Sequence, residues 1–216
     1  MYKKVGVVLF FIVSLVGFVY AKPGDPGNFY GNCEIYKVNV SKLEISQDNI
    51  NWLTLGEGVQ EFDIVSDSAS QKVAAYINGK SLLPGTYKYL RVTLSRAVGV
   101  KGKATSYGKT YYTTSSTAIV EGGKLGEASD NQKDYALCSM LIPSGFPSPD
   151  PVQTLVSSGD NLIITDTLSD PFAVESKGGA IAITFDKPIK IEFDPDESTG
   201  KVTCWPFPPH LNIKHQ

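Results

Sequence analysis

Histidine is nearly missing from this chain: the only two, His210 and His215, lie in the tail P-P-H-L-N-I-K-H-Q. Nucleophilic catalysis of the Ser-His-Asp or Cys-His kind needs a base held firmly against its nucleophile, and a terminal tail usually frays. That chemistry is therefore not expected. The five-residue histidine spacing, with no cysteine pair nearby, is also a poor zinc pattern. Positive charge is not in excess either. Lys and Arg number 20 against 22 Asp and Glu, with no basic stripe, which argues against nucleic acid, whose affinity comes largely from cations neutralising phosphates. No phosphate-cradling glycine loop occurs, so no cofactor is expected. Past residue 21 no apolar run approaches the ~20 residues of a helical span.

The one long apolar run is at the start, M-Y-K-K-V-G-V-V-L-F-F-I-V-S-L-V-G-F-V-Y-A. Lys3 and Lys4 give it a positive beginning, and Val19 and Ala21 supply small side chains at its end. It reads as a secretory signal peptide, residues 1–21, cleaved after Ala21. K-P-G-D-P-G follows at once, and the first cysteine, Cys33, is too far on for a lipoprotein signal. The mature chain then begins with a Pro/Gly-rich leader, 22–33, followed by a single domain, 34–216. Its location is expected to be periplasmic, extracellular or on the cell surface, with no membrane span left after cleavage. L-P-G-T-Y at 83–87 superficially matches a wall-sorting signal, but it sits mid-chain with no apolar tail behind it.

The mature chain alternates as half-buried strands do. Tyr36, Val38 and Val40 keep one parity and Leu43 and Ile45 the other, which predicts a β-bulge near Ser41–Lys42. Q-D-N-I-N marks a turn, Trp52–Leu55 and Glu61–Val65 short strands, and S-A-S-Q-K-V-A-A-Y-I a two-turn connecting helix near 68–77. Pro84-Gly85 predicts a type II turn with positive φ at Gly85. Leu90, Val92 and Leu94 then share one face, with Tyr87, Tyr89, Arg91 and Thr93 on the other. Arg96 falls on the apolar parity, as the exit of the strand from the core or as a buried ion pair. K-G-K at 101–103 reads as a hairpin turn. Ile181 to Phe193 hold one parity for thirteen residues, interrupted on the opposite face by Pro188, which predicts a sheet edge or a bend. D-P-D-E-S-T-G then turns into K-V-T-C-W. Many short strands between Gly/Pro turns read as an all-β antiparallel sandwich.

The order Y-K-V-N-V-S-K-L-E-I, W-L-T-L-G-E-G, E-F-D-I and L-P-G-T-Y-K-Y-L-R-V-T-L-S resembles exported bacterial proteins of no assigned activity. Its turn-strand is similar to the prealbumin-like and Cna-B-like sandwich modules of bacterial surfaces. The resemblance covers about residues 34–100. It implies an Ig-like or prealbumin-like sandwich and carries no functional residues.

Candidate sites come from residue chemistry. Asp194, Asp196 and Glu197 crowd oxygen ligands into a short glycine-ended loop that suits calcium, while the same residues serve a plain hairpin turn. Asp166, Asp170, Asp186 and Glu192 are the carboxylates a glycan hydrolase would pair, though parity places Asp186 and Glu192 toward solvent. Tyr107, Tyr111 and Tyr112, beside Thr113–Thr117, offer an aromatic platform for sugar rings or a partner, in a composition that strands favour anyway. Phe146, in P-S-G-F-P-S-P-D-P, is either an exposed anchor or a pin for its own loop. Asn39-Val40-Ser41 matches a glycosylation sequon by chance. Cys138 and Cys204 both fall on core parity and form the first disulfide candidate in an oxidising compartment, leaving Cys33 free or bridging between chains. A Cys33 link to either is the rival. Together these features suggest an exported, non-catalytic module that binds a protein or glycan partner, or assembles with itself. The alternative is a carboxylate-dependent hydrolase of extracellular glycans.

Overall fold

A computed structural model describes residues 26–66, 73, 76–77, 82–146, 153–175, 181–185, 188–196 and 198–215. The expected signal peptide, the start of the expected leader and most of 67–81 lie outside them. Two long strands form the spine. β1 (Phe29–Ser46) and β3 (Gly85–Ser106) pair antiparallel from Asn32 opposite Lys103 to Ser46 opposite Tyr89. Even-numbered residues from Leu90 to Ala104 are all buried, so β3 keeps one inner face through Arg96 and through K-G-K. The turn expected at 101–103 lies instead at Tyr107–Gly108, where φ is 49° and 78°. Two successive positive φ values are those of a type I′ hairpin, whose twist matches its strands. β4 (Lys109–Val120) returns from it.

At one end of the spine the sheet stays open. β2 (Trp52–Asp63) adds to β1, while β8 (Asn161–Val174) and β7 (Gln153–Ser158) add to β3, in the order β2-β1-β3-β8-β7. At the other end β1 turns to β10 (Lys190–Asp196), and β10 pairs β11 (Lys201–Pro206). β11 pairs β5 (Gly123–Ser129), β5 pairs β4, and β4 pairs β3, closing a six-stranded barrel. β6 (Cys138–Leu141) wedges between β3 and β5. A separate ribbon, β9 (Ile181–Phe185) with β12 (Leu211–His215), lies on the open half. There Ile183, Phe185 and Leu211 meet Val40, Phe62 and Val92.

The all-β class is as expected, but the two-sheet sandwich is corrected to a closed barrel with an attached open sheet. Glycines inside strands are the physical reason closure is possible. A Cβ at Gly31 would collide with Lys103 O, and one at Gly102 would lie 2.9 Å from Asn32 O. So β1 and β3 approach more closely there than any side chain allows, the tight bend a small barrel needs. β1 begins at Phe29, which puts the last residues of the expected leader in the barrel wall. The bulge near Ser41–Lys42 is present in both ladders of β1. Trp52 to Asp63 is one strand rather than two pieces, with Gly58 at φ 107°. Gly85 does take positive φ, 146°, but it opens β3 instead of sitting third in a type II turn. A register shift between Tyr87 and Tyr89 turns the Tyr87 ring into the core, against the predicted parity. Pro188 separates β9 from β10, so the thirteen-residue run serves two different sheets.

The helix expected near 68–77 is not among the described elements, and most of that stretch lies outside the described residues. What is described there is buried Val73 and Ile77, joined by one helical-type bond, Ile77 N–H to Val73 O, at 3.0 Å. Among the described residues no helix is long and apolar enough to cross a membrane.

Candidate functional site

The predicted tyrosine platform is split by strand alternation. Tyr107 stands fully exposed at the hairpin tip. Tyr111 turns inward, its ring 5.3 Å from Phe29, and packs on the core. Tyr112 turns outward, its ring 5.2 Å from Tyr135. It belongs to an open groove of about 560 Å³ on the barrel wall, bounded by Tyr30 and Glu34 of β1, Lys103 of β3, Tyr112 of β4, and Gln132 and Tyr135 beyond β5. Tyr30 and Tyr135 were not singled out from sequence. Tyr30 sat in a segment without periodicity, and Tyr135 follows a single 3-10 turn, Gln132–Asp134, which has no pattern of its own.

Short polar bonds hold the Tyr135 segment in place. Asn131 caps the turn by accepting from Lys133 N–H at 3.2 Å, and Ser129 Oγ donates to Asp134 Oδ2 at 2.8 Å. Beyond the turn, buried Thr113 donates from Oγ1 to Ala136 O at 2.8 Å and accepts from Gly102 N–H at 3.2 Å. Tyr135 is thereby tied to both β3 and β4.

The groove is polar as well as aromatic. Lys103 Nζ lies 2.8 Å from Glu34 Oε1. That hydrogen bond, helped by Tyr135, holds the Glu34 carboxyl below the usual carboxylate range. Burial, and then Glu34, push the Tyr135 hydroxyl above the usual phenol range. Lys101 Nζ sits 4.3 Å from the Tyr135 ring centroid, a cation–π contact. Lys190 Nζ donates to Asn32 Oδ1 at 3.2 Å, and the Thr105 and Thr110 hydroxyls are 2.9 Å apart.

Among the described residues, the carboxylates named from sequence do not assemble. Asp166 and Glu192 are both buried, which corrects the solvent-facing expectation for Glu192, but they sit in different halves of the molecule. Glu192 Oε1 accepts from Asn28 Nδ2 at 2.6 Å and Tyr30 Oη at 3.3 Å beside the barrel. Asp166, under the ribbon, accepts from Gln153 Nε2 at 3.2 Å and Leu211 N–H at 3.1 Å, and its Oδ1 lies 3.2 Å from His210 Nδ1. His210 is therefore tethered, contrary to the frayed-tail expectation. Asp170 is exposed, and Asp186 lies outside the described residues.

The calcium candidate is used as a turn. Asp196 Oδ1 accepts from Ser198 N–H and Oγ at 2.9 and 2.6 Å, and its Oδ2 from Thr199 Oγ1 at 2.7 Å. These donors, the Ser198 hydroxyl first, bring the Asp196 carboxyl down to about 2. Asp194 is half-buried in β10, and Glu197 lies outside the described residues. Among the described residues no three His, Cys, Asp or Glu are grouped to hold a metal. Phe146 packs edge-on against Trp205 at 5.6 Å, pinning its loop.

All three cysteines are buried free thiols. Cys138 and Cys204 do face the core, with their sulfurs 3.1 and 2.8 Å from the point where a Gly126 Cβ would sit. Both strands pair along the edge of β5 opposite β4, and the two sulfurs are near each other but unbonded. Burial, then Asp63, pushes the Cys33 thiol up to about 12, and burial pushes Cys138 up to about 11. Native protein at pH 8 is expected to react with no thiol reagent on the minutes scale and to titrate three thiols once denatured. A linked peptide in non-reducing mass mapping would contradict this.

Glu44, on the outer face of β1, is another buried carboxylate. Arg91 Nε and Nη2 and Lys42 Nζ approach it at 2.8, 2.8 and 2.9 Å, and the Arg91 guanidinium stacks 3.9 Å from the Trp52 ring. Burial opposes ionisation of Glu44, but the bonds from Arg91 and Lys42 outweigh it and the pKa falls. A lowered folded pKa contributes stability above the unfolded value, ~4.3, and loses it as pH falls through the folded value. Glu44→Gln should cost roughly 1–2 kcal/mol at pH 7, since both cations are partly solvated. In paired melts the gap from wild type should close below about pH 4.3; a pH-independent gap would contradict the ion-pair account.

Comparison with known proteins finds no matching family model, curated protein or solved structure. Nothing there supports the resemblance to prealbumin-like and Cna-B-like modules.

Proposed function

We propose that this chain is an exported, non-catalytic module that binds its partner in the groove on the barrel wall. The observation that carries the reading is the groove itself. It joins the aromatic surfaces of Tyr30, Tyr112 and Tyr135 to the Glu34–Lys103 pair and the Gln132 amide in one concavity of about 560 Å³. Binding pockets commonly span about 300–1,000 Å³ and combine aromatic walls with a few placed polar groups. Of the carboxylates that hydrolysis would use, Asp166 is bonded under the ribbon, away from the groove, and Glu192 lies buried behind Tyr30, accepting from it and from Asn28. Export follows from the N-terminal sequence, K-K before an apolar run ending V-Y-A.

The test is retention of cell-envelope material on immobilised protein 22–216, scored for wild type, the double variant Tyr112→Ala/Gln132→Ala, and Tyr107→Ala at the hairpin tip. Loss of specific retention in the double variant alone is the expected result, and equal retention by all three would overturn the assignment to the groove. A glycosidase panel runs beside it. Turnover by wild type that Asp166→Asn abolishes would overturn the non-catalytic reading.

A further inference from the structure

Resting on that reading, we propose that the groove takes an acidic saccharide, a short run of sugar rings carrying carboxylates. Sugar rings present an apolar face and an equatorial girdle of hydroxyls. The groove offers the complement of both. Tyr30 is 48% exposed, and with Tyr112 it supplies the aromatic surface. The hydroxyl girdle meets small two-way hydrogen-bonding groups, Thr105, Thr110, Gln132 and Asn32, all on the groove lining. Asn32 gives its carbonyl oxygen to Lys190 and keeps its NH₂ as a donor. Such groups match hydroxyls, which both donate and accept.

The charge pattern selects an acidic ligand. Glu34 is neutralised by Lys103 at 2.8 Å, and Glu192, wholly buried, is engaged by Asn28 and Tyr30. Lys101 on β3 and Lys190 on β10 flank the groove on either side of β1. Lys190 bonds Asn32, and Lys101 adds to the positive field at Glu34, which Lys103 already pairs, so the cations here outnumber that carboxylate. Lys101 is parked over the Tyr135 ring, from which it can swing onto a ligand carboxylate. A flat protein interface would not need this alternation of ring faces and hydroxyl-sized polar groups.

The experiment titrates ¹⁵N-labelled protein 22–216 with three probes: a uronic-acid tetrasaccharide, its carboxyl-reduced neutral counterpart, and an acidic peptide of equal charge. Saturable amide shifts at Gly31, Lys103, Tyr112 and Gln132 are expected with the acidic sugar, with affinity at least tenfold lower for the neutral one. Lys101→Gln with Lys190→Gln should weaken the acidic sugar roughly fivefold to tenfold and leave the neutral one unchanged. Tyr112→Ala should weaken both sugars roughly tenfold. Should that variant be unfolded, Gln132→Ala replaces it, with loss of affinity for both sugars again expected. Equal binding of the two sugars would overturn the acidic assignment. Shifts at the groove with the peptide alone would overturn the saccharide class while leaving the binding-module reading intact. No groove shift with any probe, from protein that still retains envelope material through Tyr112, would overturn the saccharide proposal outright.

Discussion

Arg96→Met is expected to destabilise the protein by about 3–4 kcal/mol, more than any substitution of a surface residue. Arg96 sits on the inner parity of β3 and is 8% exposed. Neither expectation for it, exit from the core or a buried ion pair, describes what it does. Its guanidinium gathers backbone carbonyls from three separate segments, two turns and the end of β6. Nε donates to Ile142 O at 2.7 Å, Nη1 to Gly159 O at 3.2 Å, and Nη2 to Gly122 O. Its own backbone joins in, donating to Asp160 O and accepting from Ile142 N–H, both at 2.9 Å. Methionine fills the stem's volume but leaves three carbonyls without donors, each costing about 1–3 kcal/mol if it stays buried. Arg96→Lys should recover no more than about half, because an ammonium on a flexible stem cannot reproduce the planar fork. Urea unfolding of the three proteins measures this, and a loss under about 1 kcal/mol for Arg96→Met would contradict the clamp.

Asp166→Ala is the second large effect, expected at about 2–4 kcal/mol. This carboxylate holds down the start of β12 through Leu211 N–H and His210, and shares Gln153 with Pro209 O. The ribbon so anchored covers apolar residues of the open half, including Val40, Phe62 and Val92. The loss should be local as well as global. Amide exchange in the paired segments Ile181–Phe185 and Leu211–His215 should quicken by more than the change in overall stability accounts for, while β10 and β11 follow the global value. Uniform quickening across all strands would contradict a latch specific to the ribbon.

How much of this was legible varies with how local the cause is. The alternation from Leu90 onward was plain, and it located the inner face of β3 and the odd position of Arg96. It was cut short at K-G-K because a glycine between two charges looks like a turn. In the structure that glycine lets β1 and β3 approach within the reach of a side chain. The bulge near Ser41 was legible because a parity switch has only one simple explanation. Barrel closure was not, because it depends on β11 finding β5, a pairing about 75 residues apart in sequence that no local pattern announces. The unbroken parity from Ile181 to Phe193 likewise hid a change of sheet at Pro188. Of the binding surface only Tyr112 was foreseen. Tyr30 and Tyr135 reach the groove from segments without periodicity, and the burial of Asp166 and Glu192 depends on partners 13 to 164 residues away.

The groove exists because Tyr30 to Glu34 of β1 are held in a closed wall, with β3 on one side and β10 on the other. The seam of that wall is β11 against β5, where Val202 faces Ala128 and Cys204 faces Gly126. The most direct measurement is a set of cross-strand nuclear Overhauser contacts on the ¹⁵N,¹³C-labelled protein. Closure predicts backbone contacts linking residues 202–204 to 126–128, together with amides at that seam protected from exchange. A β11 edge with fast-exchanging amides and no contact to β5 would contradict the closed barrel and, with it, the wall that carries the proposed site.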